Sequence, residues 1–442
     1  MRFRRQIPLA ALVAALATPV FAQEALPLDQ AVAQAVARNP GLEAARSGAT
    51  EATAKVDEAR SRFFPRVSVS ESWQRGNAPV FVFSSLLSAR KFAAGNFAID
   101  ALNQPDPVGF FHGAIAVEQV LFDGGRTGAG LDAARGVEAM ATAGADEHAL
   151  SLASQVATAY GQVLTAEAAR SAAEGAAKAA AEDVARAERR REAGTVTNAD
   201  VLSLQVHLAA MHQQVIEATG HAAVARAQLN RLRGAPVDAE FIVQEPAPSP
   251  PAGGREWSAL AAEAIANRPE LRRGEGGVTL AESGRRQAKS AWWPQVAAQA
   301  AYQYDGLNFS DRASSWVVGG EARWAFSTGM GERAAMRAAA AAEQRARASR
   351  DEARAAVQVE VLSAVRQLES AEARERVARA TVAQAVESQR ILRDRYEAGM
   401  AGVQDVLSAS AAVLSAEMSR TSAVVDRIVA QAALDRAIGR RP

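Results

Sequence analysis

Residues 192–202 read Glu192-Ala193-Gly194-Thr195-Val196-Thr197-Asn198-Ala199-Asp200-Val201-Leu202, and residues 397–407 read Glu397-Ala398-Gly399-Met400-Ala401-Gly402-Val403-Gln404-Asp405-Val406-Leu407. The segments lie 205 positions apart and agree at their Glu, Ala, Gly, Asp, Val and Leu. Downstream, Leu229, Arg231 and Gly234 return at the same offset as Leu434, Arg436 and Gly439. Upstream, Pro40 precedes Phe63-Phe64-Pro65 as Pro269 precedes Trp292-Trp293-Pro294, at an offset of 229. Self-similarity of this kind is a tandem duplication. The copies occupy residues 23–234 and 257–442, joined by a proline-rich connector, 235–256, whose Pro246, Pro248, Pro250 and Pro251 exclude an internal helix.

Each quoted segment reads as the turn of a helical hairpin. Gly194 and Gly399 follow a basic run and an alanine, as a helix terminus should, and Asp200 or Asp405 suits the start of a return helix. The flanking stretches, about 127–233 and 331–439, are strong helix formers without internal proline. Val357, Val361, Ala364, Leu368, Ala371, Ala378, Val382, Ala385, Leu392 and Tyr396 keep steps of four and three, with Glu375 and Gln389 as exceptions, which is a coiled-coil seam. The 65 residues from Gly128 to Glu192 give roughly 98 Å of helix; residues 200–233 and 40–64 together give roughly 89 Å. Two shorter helices stacked end to end therefore match one long one, as a double-layered tube wall requires.

Between the helices the period changes to two. Val296, Ala298, Ala300, Tyr302 and Tyr304 alternate with polar or small residues, as do Trp316, Val318, Gly320, Ala322, Trp324 and Phe326. In the first copy Val67, Val69 and Trp73 alternate with serines, and Ile115, Val117 and Leu121 mark a less regular partner. These are strand hairpins at about 66–122 and 295–326, and the length difference between the copies lies in the first hairpin's loop. That loop carries Phe81-Val82-Phe83, Leu86-Leu87, Phe92 and Phe97, too apolar for a solvated loop; it either folds over the strands' open end or packs on itself. Five of the six tryptophans, Trp73, Trp292, Trp293, Trp316 and Trp324, lie in or beside strands. Aromatic residues at strand ends suit the interfaces of a lipid-facing barrel, or else a soluble core. Four strands cannot close a barrel, so a membrane reading requires several chains to share one.

Met1-Arg2-Phe3-Arg4-Arg5, the apolar Ile7–Ala17 run and Val20-Phe21-Ala22 read as a secretory signal peptide, residues 1–22. The chain has no cysteine, hence no disulfide and no lipidated thiol. A net charge of +1 provides no basic field for nucleic acid. His207, His212 and His221 are spaced so that they do not converge on a metal, and Gly124, Gly125, Gly128 and Gly130 lack the Lys-Ser/Thr of a phosphate loop. No catalytic, cofactor or metal site is expected.

Taken together, the signal peptide, Asn39-Pro40-Gly41-Leu42 with Arg268-Pro269-Glu270-Leu271, a proline at each helix-to-strand junction, Leu121-Phe122-Asp123-Gly124-Gly125-Arg126, and the Gly-x5-Asp-Val-Leu tip in each half resemble the TolC-like outer-membrane efflux channels. The resemblance covers nearly all of residues 26–440. It implies a mostly α fold in which a homotrimer completes a twelve-stranded membrane β-barrel on a long α-helical coiled-coil tunnel. It implies a location in the outer membrane of a Gram-negative bacterium, with a periplasmic extension, and a role as exit duct of a tripartite efflux or type I secretion system. Its partners would be a periplasmic adaptor, an inner-membrane pump and outer-membrane lipid. Gly194, Asp200, Val201, Leu202, Gly399, Val406 and Leu407 would form adaptor-docking tips, and Tyr396 and Asp405 a periplasmic gate. Ala401 and Ser408 depart from the family's gate pattern. Asp405 is at once a candidate for a ring of three carboxylates and a helix cap. A periplasmic coiled-coil scaffold and a stand-alone porin are the competing readings; aromatic-flanked strands argue against the first and helices of ~100 Å against the second.

Overall fold

The computed structural model describes residues 25–194, 197–246, 256–325, 327–398 and 400–440, leaving aside the side chains of Asp200, Glu397 and Val403. The signal peptide, residues 247–255 of the connector, Phe326 and Gly399 lie outside the described residues. The first half contains β1 (Ala25–Leu26), α1 (Leu28–Arg38), α2 (Pro40–Ser61), β2 (Arg66–Gly76), α3 (Pro79–Ser88), α4 (Ile99–Asn103), β3 (Val108–Phe122), α5 (Arg126–Glu192) and α6 (Asn198–Leu232). After β4 (Ile242–Val243), the second half contains α7 (Trp257–Asn267), α8 (Pro269–Ser290), β5 (Gln295–Asn308), β6 (Asp311–Arg323), α9 (Gly331–Glu397) and α10 (Val403–Ala437). Corresponding helices have identical lengths: 11 residues for α1 and α7, 22 for α2 and α8, 67 for α5 and α9, 35 for α6 and α10. At 1.5 Å per residue the 67-residue helices span roughly 100 Å.

Neighbours across the wall run α6, α5, α10, α9 at one level and α2, α5, α8, α9 at the other, so α5 and α9 bridge both levels. The short helices meet end to end through one device used twice. Asn39 Nδ2 donates to the Leu232 carbonyl at 2.8 Å, tying the start of α2 to the last turn of α6. In the second copy Arg268 Nη1 donates to the carbonyls of Arg436 (3.3 Å) and Ala437 (3.2 Å), while Glu270 and Glu360 hold its other nitrogens at 2.7–2.8 Å. Burial disfavours the Arg268 charge, but the bonds to Glu360 and Glu270 outweigh it and raise its pKa above the ordinary value. Each joint thus satisfies helix-end carbonyls that packing would otherwise strand.

The α9 seam has the expected spacing: Val357, Val361, Ala364, Leu368 and Ala371 are buried, and Ala378, Val382, Ala385, Leu392 and Tyr396 are half-buried. Its two exceptions are polar bridges to α10. Glu375 accepts from Arg427 Nε at 2.7 Å, with both side chains 8% exposed, and Gln389 Nε2 donates to Ser410 Oγ at 2.9 Å. Where the repeats meet, small residues admit close approach: a Cβ on Gly161 of α5 would lie 2.5 Å from Val425 Cγ1 of α10. Tyr160, fully buried on α5, anchors the pairing of β1 with β4, donating to the Leu26 carbonyl (2.8 Å) and accepting from Gln244 N–H (2.9 Å). Burial pushes its phenol pKa up.

The remaining strands form one antiparallel sheet in the order β2-β3-β5-β6, with β2 and β6 as open edges. The register slips between Val120 and Phe122, so Leu121 is bulged and Phe122 takes the place beside Val296. That bulge explains the irregular alternation of the third strand and corrects the expected role of Leu121. The long first loop does both things open to it: α3 lies against β3 and β5, and Phe92 packs edge to face on Phe83 and on Phe97.

Candidate functional sites at the two ends of the molecule

Two-residue periodicity gives the sheet two unlike faces. Register rows Val67, Val117, Ala300, Val318 and Val69, Ile115, Tyr302, Trp316 lie on one face. Arg66, Glu118, Gln299, Gly319 and Ser70, Ala114, Gln303, Ser315 lie on the other. That first face runs from Val296 to Gly306, ten residue steps or about 34 Å along the strand, interrupted by Gln119 beside Ala298 and by the row of Glu71, Gly113, Tyr304 and Ser314. Tilted by ~40°, that projects to ~26 Å, close to the ~25 Å apolar band of outer-membrane barrels.

Aromatic residues collect at both ends of this band. At the helix end, Phe122 and Trp293 meet edge to face at 6.3 Å and line a groove with Lys289, Trp292, Pro294, Trp324 and Met336. At the other end Trp73 and Phe111 lie 6.3 Å apart, and the Arg312 guanidinium sits 4.2 Å from the Phe309 ring while bonding Glu71 at 2.9 Å. Trp316 occupies an interior row beside Tyr302 rather than a strand end. Below the sheet, β3 turns into α5 through Gly124 (φ 65°) and Gly125 (φ 84°), with Asp123 accepting from the N–H groups of Gly125 and Thr127. A Cβ on Gly124 would lie 2.7 Å from Trp293 Cβ, so this glycine is required by space as well as by φ.

At the opposite end, the α5–α6 tip turns at Gly194 (φ 74°), and Leu202 is 53% exposed. Val201 is 1% exposed, packed with Val184, Ala187 and Leu204. It therefore closes the hairpin and cannot offer surface to a partner, which corrects its expected place on the docking tip. Val406 and Leu407 are half-buried on α10, and Met400, 74% exposed, is the most prominent apolar side chain among the described residues of that tip.

Asp200 and Asp405 both lie in the first turn of their return helices, and the expectation that Asp405 is an N-cap is corrected. Helix α6 begins at Asn198 and α10 at Val403, so both aspartates are third residues of their helices. Gly402 is the N-cap of α10, and Asp405 Oδ2 accepts from its N–H at 2.9 Å, the backward half of a capping box. Tyr396 reaches across to the other repeat: Arg190 Nη1 donates to its hydroxyl at 3.1 Å, and the guanidinium carbon lies 5.6 Å from its ring centroid. In the sequence Arg190 belongs to the basic run Arg189-Arg190-Arg191 that ends α5, and at the repeat offset of 205 Tyr396 stands where the first copy has Arg191. The structure thus ties Tyr396 to α5 and Asp405 to its own helix end.

Among the described residues no cluster of three or more His, Cys, Asp or Glu could hold a metal, and no helix is long and apolar enough to cross a membrane. Solved structures share the fold at low identity. A membrane protein from Pseudomonas aeruginosa superposes with a TM-score of 0.76 at 20% identity, over 93% of each chain. The Campylobacter jejuni CmeC outer membrane channel gives 0.78 at 16%, over 93% of this chain and 85% of its own. The open state of the Neisseria gonorrhoeae MtrE outer membrane channel gives 0.72 at 18%, over 93% and 88%. No curated protein matches the sequence significantly. The family model for outer membrane efflux proteins matches residues 31–235 and 260–440, and the chain belongs to that family, as a channel and not an enzyme.

Proposed function

We propose that three copies of this chain form the exit duct of a tripartite efflux or type I secretion system. Four strands from each copy close a twelve-stranded barrel in the outer membrane of a Gram-negative bacterium, and the helices extend it as a periplasmic tunnel. The observation that carries this reading is the two-faced sheet with unpaired edges at β2 and β6. In lipid each unpaired backbone group costs several kcal/mol, and the neighbouring copies' edges are the groups that satisfy it. The apolar rows then face lipid, with Trp73, Trp292, Trp293, Trp316 and Trp324 among the side chains on or beside that surface, and the Ser, Gln and Glu rows line the lumen.

At the far end, Gly194, Asp200 and Leu202 with Gly399, Val406 and Leu407 mark the tips on which a periplasmic adaptor docks, carrying the channel to its inner-membrane pump. Tyr396, held by Arg190, and Asp405 form the entrance constriction. Native mass spectrometry in detergent tests the assembly: a trimer is expected, and a stable monomer refutes it. Leu202→Asp tests docking: export is expected to fail while trimers persist in the membrane, and unchanged export refutes the assignment.

A further inference from the structure

The 31 residues between β2 and β3, numbers 77–107, have no counterpart in the second copy, whose strands are joined by residues 309 and 310 alone. They contain the apolar helix α3, Pro79-Val80-Phe81-Val82-Phe83-Ser84-Ser85-Leu86-Leu87-Ser88. This helix is fixed to the polar face of the sheet. Phe81 meets Phe110 edge to face at 6.3 Å, and Phe110 shares its side of β3 with His112 and Ala114. Beyond the helix, Arg90 Nη2 donates to the Ser314 carbonyl at 2.9 Å and Lys91 pairs with Asp311 at 2.7 Å, so the insert spans the sheet from β2 to β6. Val82, Ser85 and Ala89 form its buried stripe, and on the opposite side Val80 (81% exposed) and Leu87 (49%) point away from the strands.

We infer that α3 is an apolar plug: around the three-fold axis the Val80 and Leu87 faces of three copies meet and shut the outer mouth of the barrel. This rests on the trimeric reading above. Twelve strands 4.8 Å apart and tilted ~40° enclose a radius of about 12 Å. A helix with its side chains is 10–12 Å across, so one lying against each third of the wall reaches the axis. The occupant of each exposed α3 face is therefore the α3 of a second copy. The face is apolar although it looks into a lumen whose wall carries Ser70, Gln303, Ser315, Glu118 and Gln299, which a permanently water-filled mouth would not favour. Export then requires α3 to be displaced, and solutes outside meet a dry constriction at rest.

The absence of cysteine makes the contact testable. Val80→Cys and, separately, Leu87→Cys in the full-length protein, oxidised in isolated outer membranes, are expected to give covalent dimers on denaturing gels, two of the three copies being joined. Native mass spectrometry of the same unoxidised samples reads the assembly independently. Trimers in which neither cysteine cross-links, even with a short bis-maleimide, overturn the plug and leave the exit-duct reading intact. A monomeric native mass overturns both.

Discussion

Three glycines at left-handed backbone positions should respond unequally to the same substitution, because they differ in what surrounds them. Gly194, Gly234 and Gly439 have φ of 74°, 67° and 73°, so alanine imposes a similar backbone cost of roughly 1–2 kcal/mol at each. At Gly194, in the tip, a Cβ meets nothing within 4 Å, and that backbone cost is the whole effect. At Gly439 the Cβ would lie 3.0 Å from Asn267 C and 3.2 Å from Arg268 N, demanding a small shift of the α8–α10 joint. At Gly234 it would lie 2.5 Å from the Arg38 carbonyl oxygen and 2.9 Å from its carbon, so the α2–α6 joint must separate. Overpacking of this kind adds roughly 1–3 kcal/mol, which places Gly234→Ala at about 4 kcal/mol, Gly439→Ala at about 2–3 and Gly194→Ala at about 1–2. Denaturant unfolding of the detergent-solubilised protein, followed by far-ultraviolet circular dichroism, measures the order. Gly234→Ala proving no more destabilising than Gly194→Ala would show that the short helices are not held end to end as described.

Substitutions at Asp405, Glu375 and Tyr396 probe the wall and its entrance. Asp405→Ala removes the acceptor for Gly402 N–H and should cost about 1 kcal/mol, whereas Asp405→Asn keeps an acceptor and loses the charge. If Asn alone leaves cation block in single-channel recordings at the wild-type level, Asp405 is a cap and not a charged ring. Glu375→Ala leaves Arg427 buried without its carboxylate and should destabilise by about 3–5 kcal/mol, while Glu375→Leu with Arg427→Met should recover most of the loss in the same unfolding assay; failure of the pair to recover rules out the buried charge as the cause. Tyr396→Phe removes the bond from Arg190 but keeps the ring under its guanidinium, so open-state lifetimes should lengthen modestly, and more so in Tyr396→Ala; identical lifetimes in all three proteins exclude this contact from gating.

Much of this fold is local enough to be legible in the sequence. Helix stops at glycine, seam positions and strand alternation depend on neighbours within a few residues, and the repeats declare themselves through their tips. What escaped was set by pairing over distance or by geometry without a periodic signature. The Leu121 bulge depends on the register of β3 against β5; irregular alternation hints at it but does not locate it. The bond between Arg190 and Tyr396 joins residues 206 apart. Asp405, a good N-cap residue, suggests a start for α10 about one turn later than the actual one. Yet Gly402, extended at φ −85° and ψ 163°, followed three residues later by an acid, is itself an N-terminal signature.

The two copies also show where such a chain can change and where it cannot. All four helix lengths are conserved between repeats because each is constrained at both ends: α2 and α6 must meet at Asn39 and Leu232, α8 and α10 at Arg268 and Ala437, and the long helices must reach the same tips. Adding one residue to α5 would rotate everything beyond it by about 100° and turn its α10-facing glycine, Gly161, away from Val425. The far end of a strand hairpin has no such constraint, since residues inserted there change neither the register of β2 with β3 nor any helical joint. The 31-residue connection sits at that point, so a helix can be added over one end of the sheet while the rest of the duplicated unit keeps its dimensions.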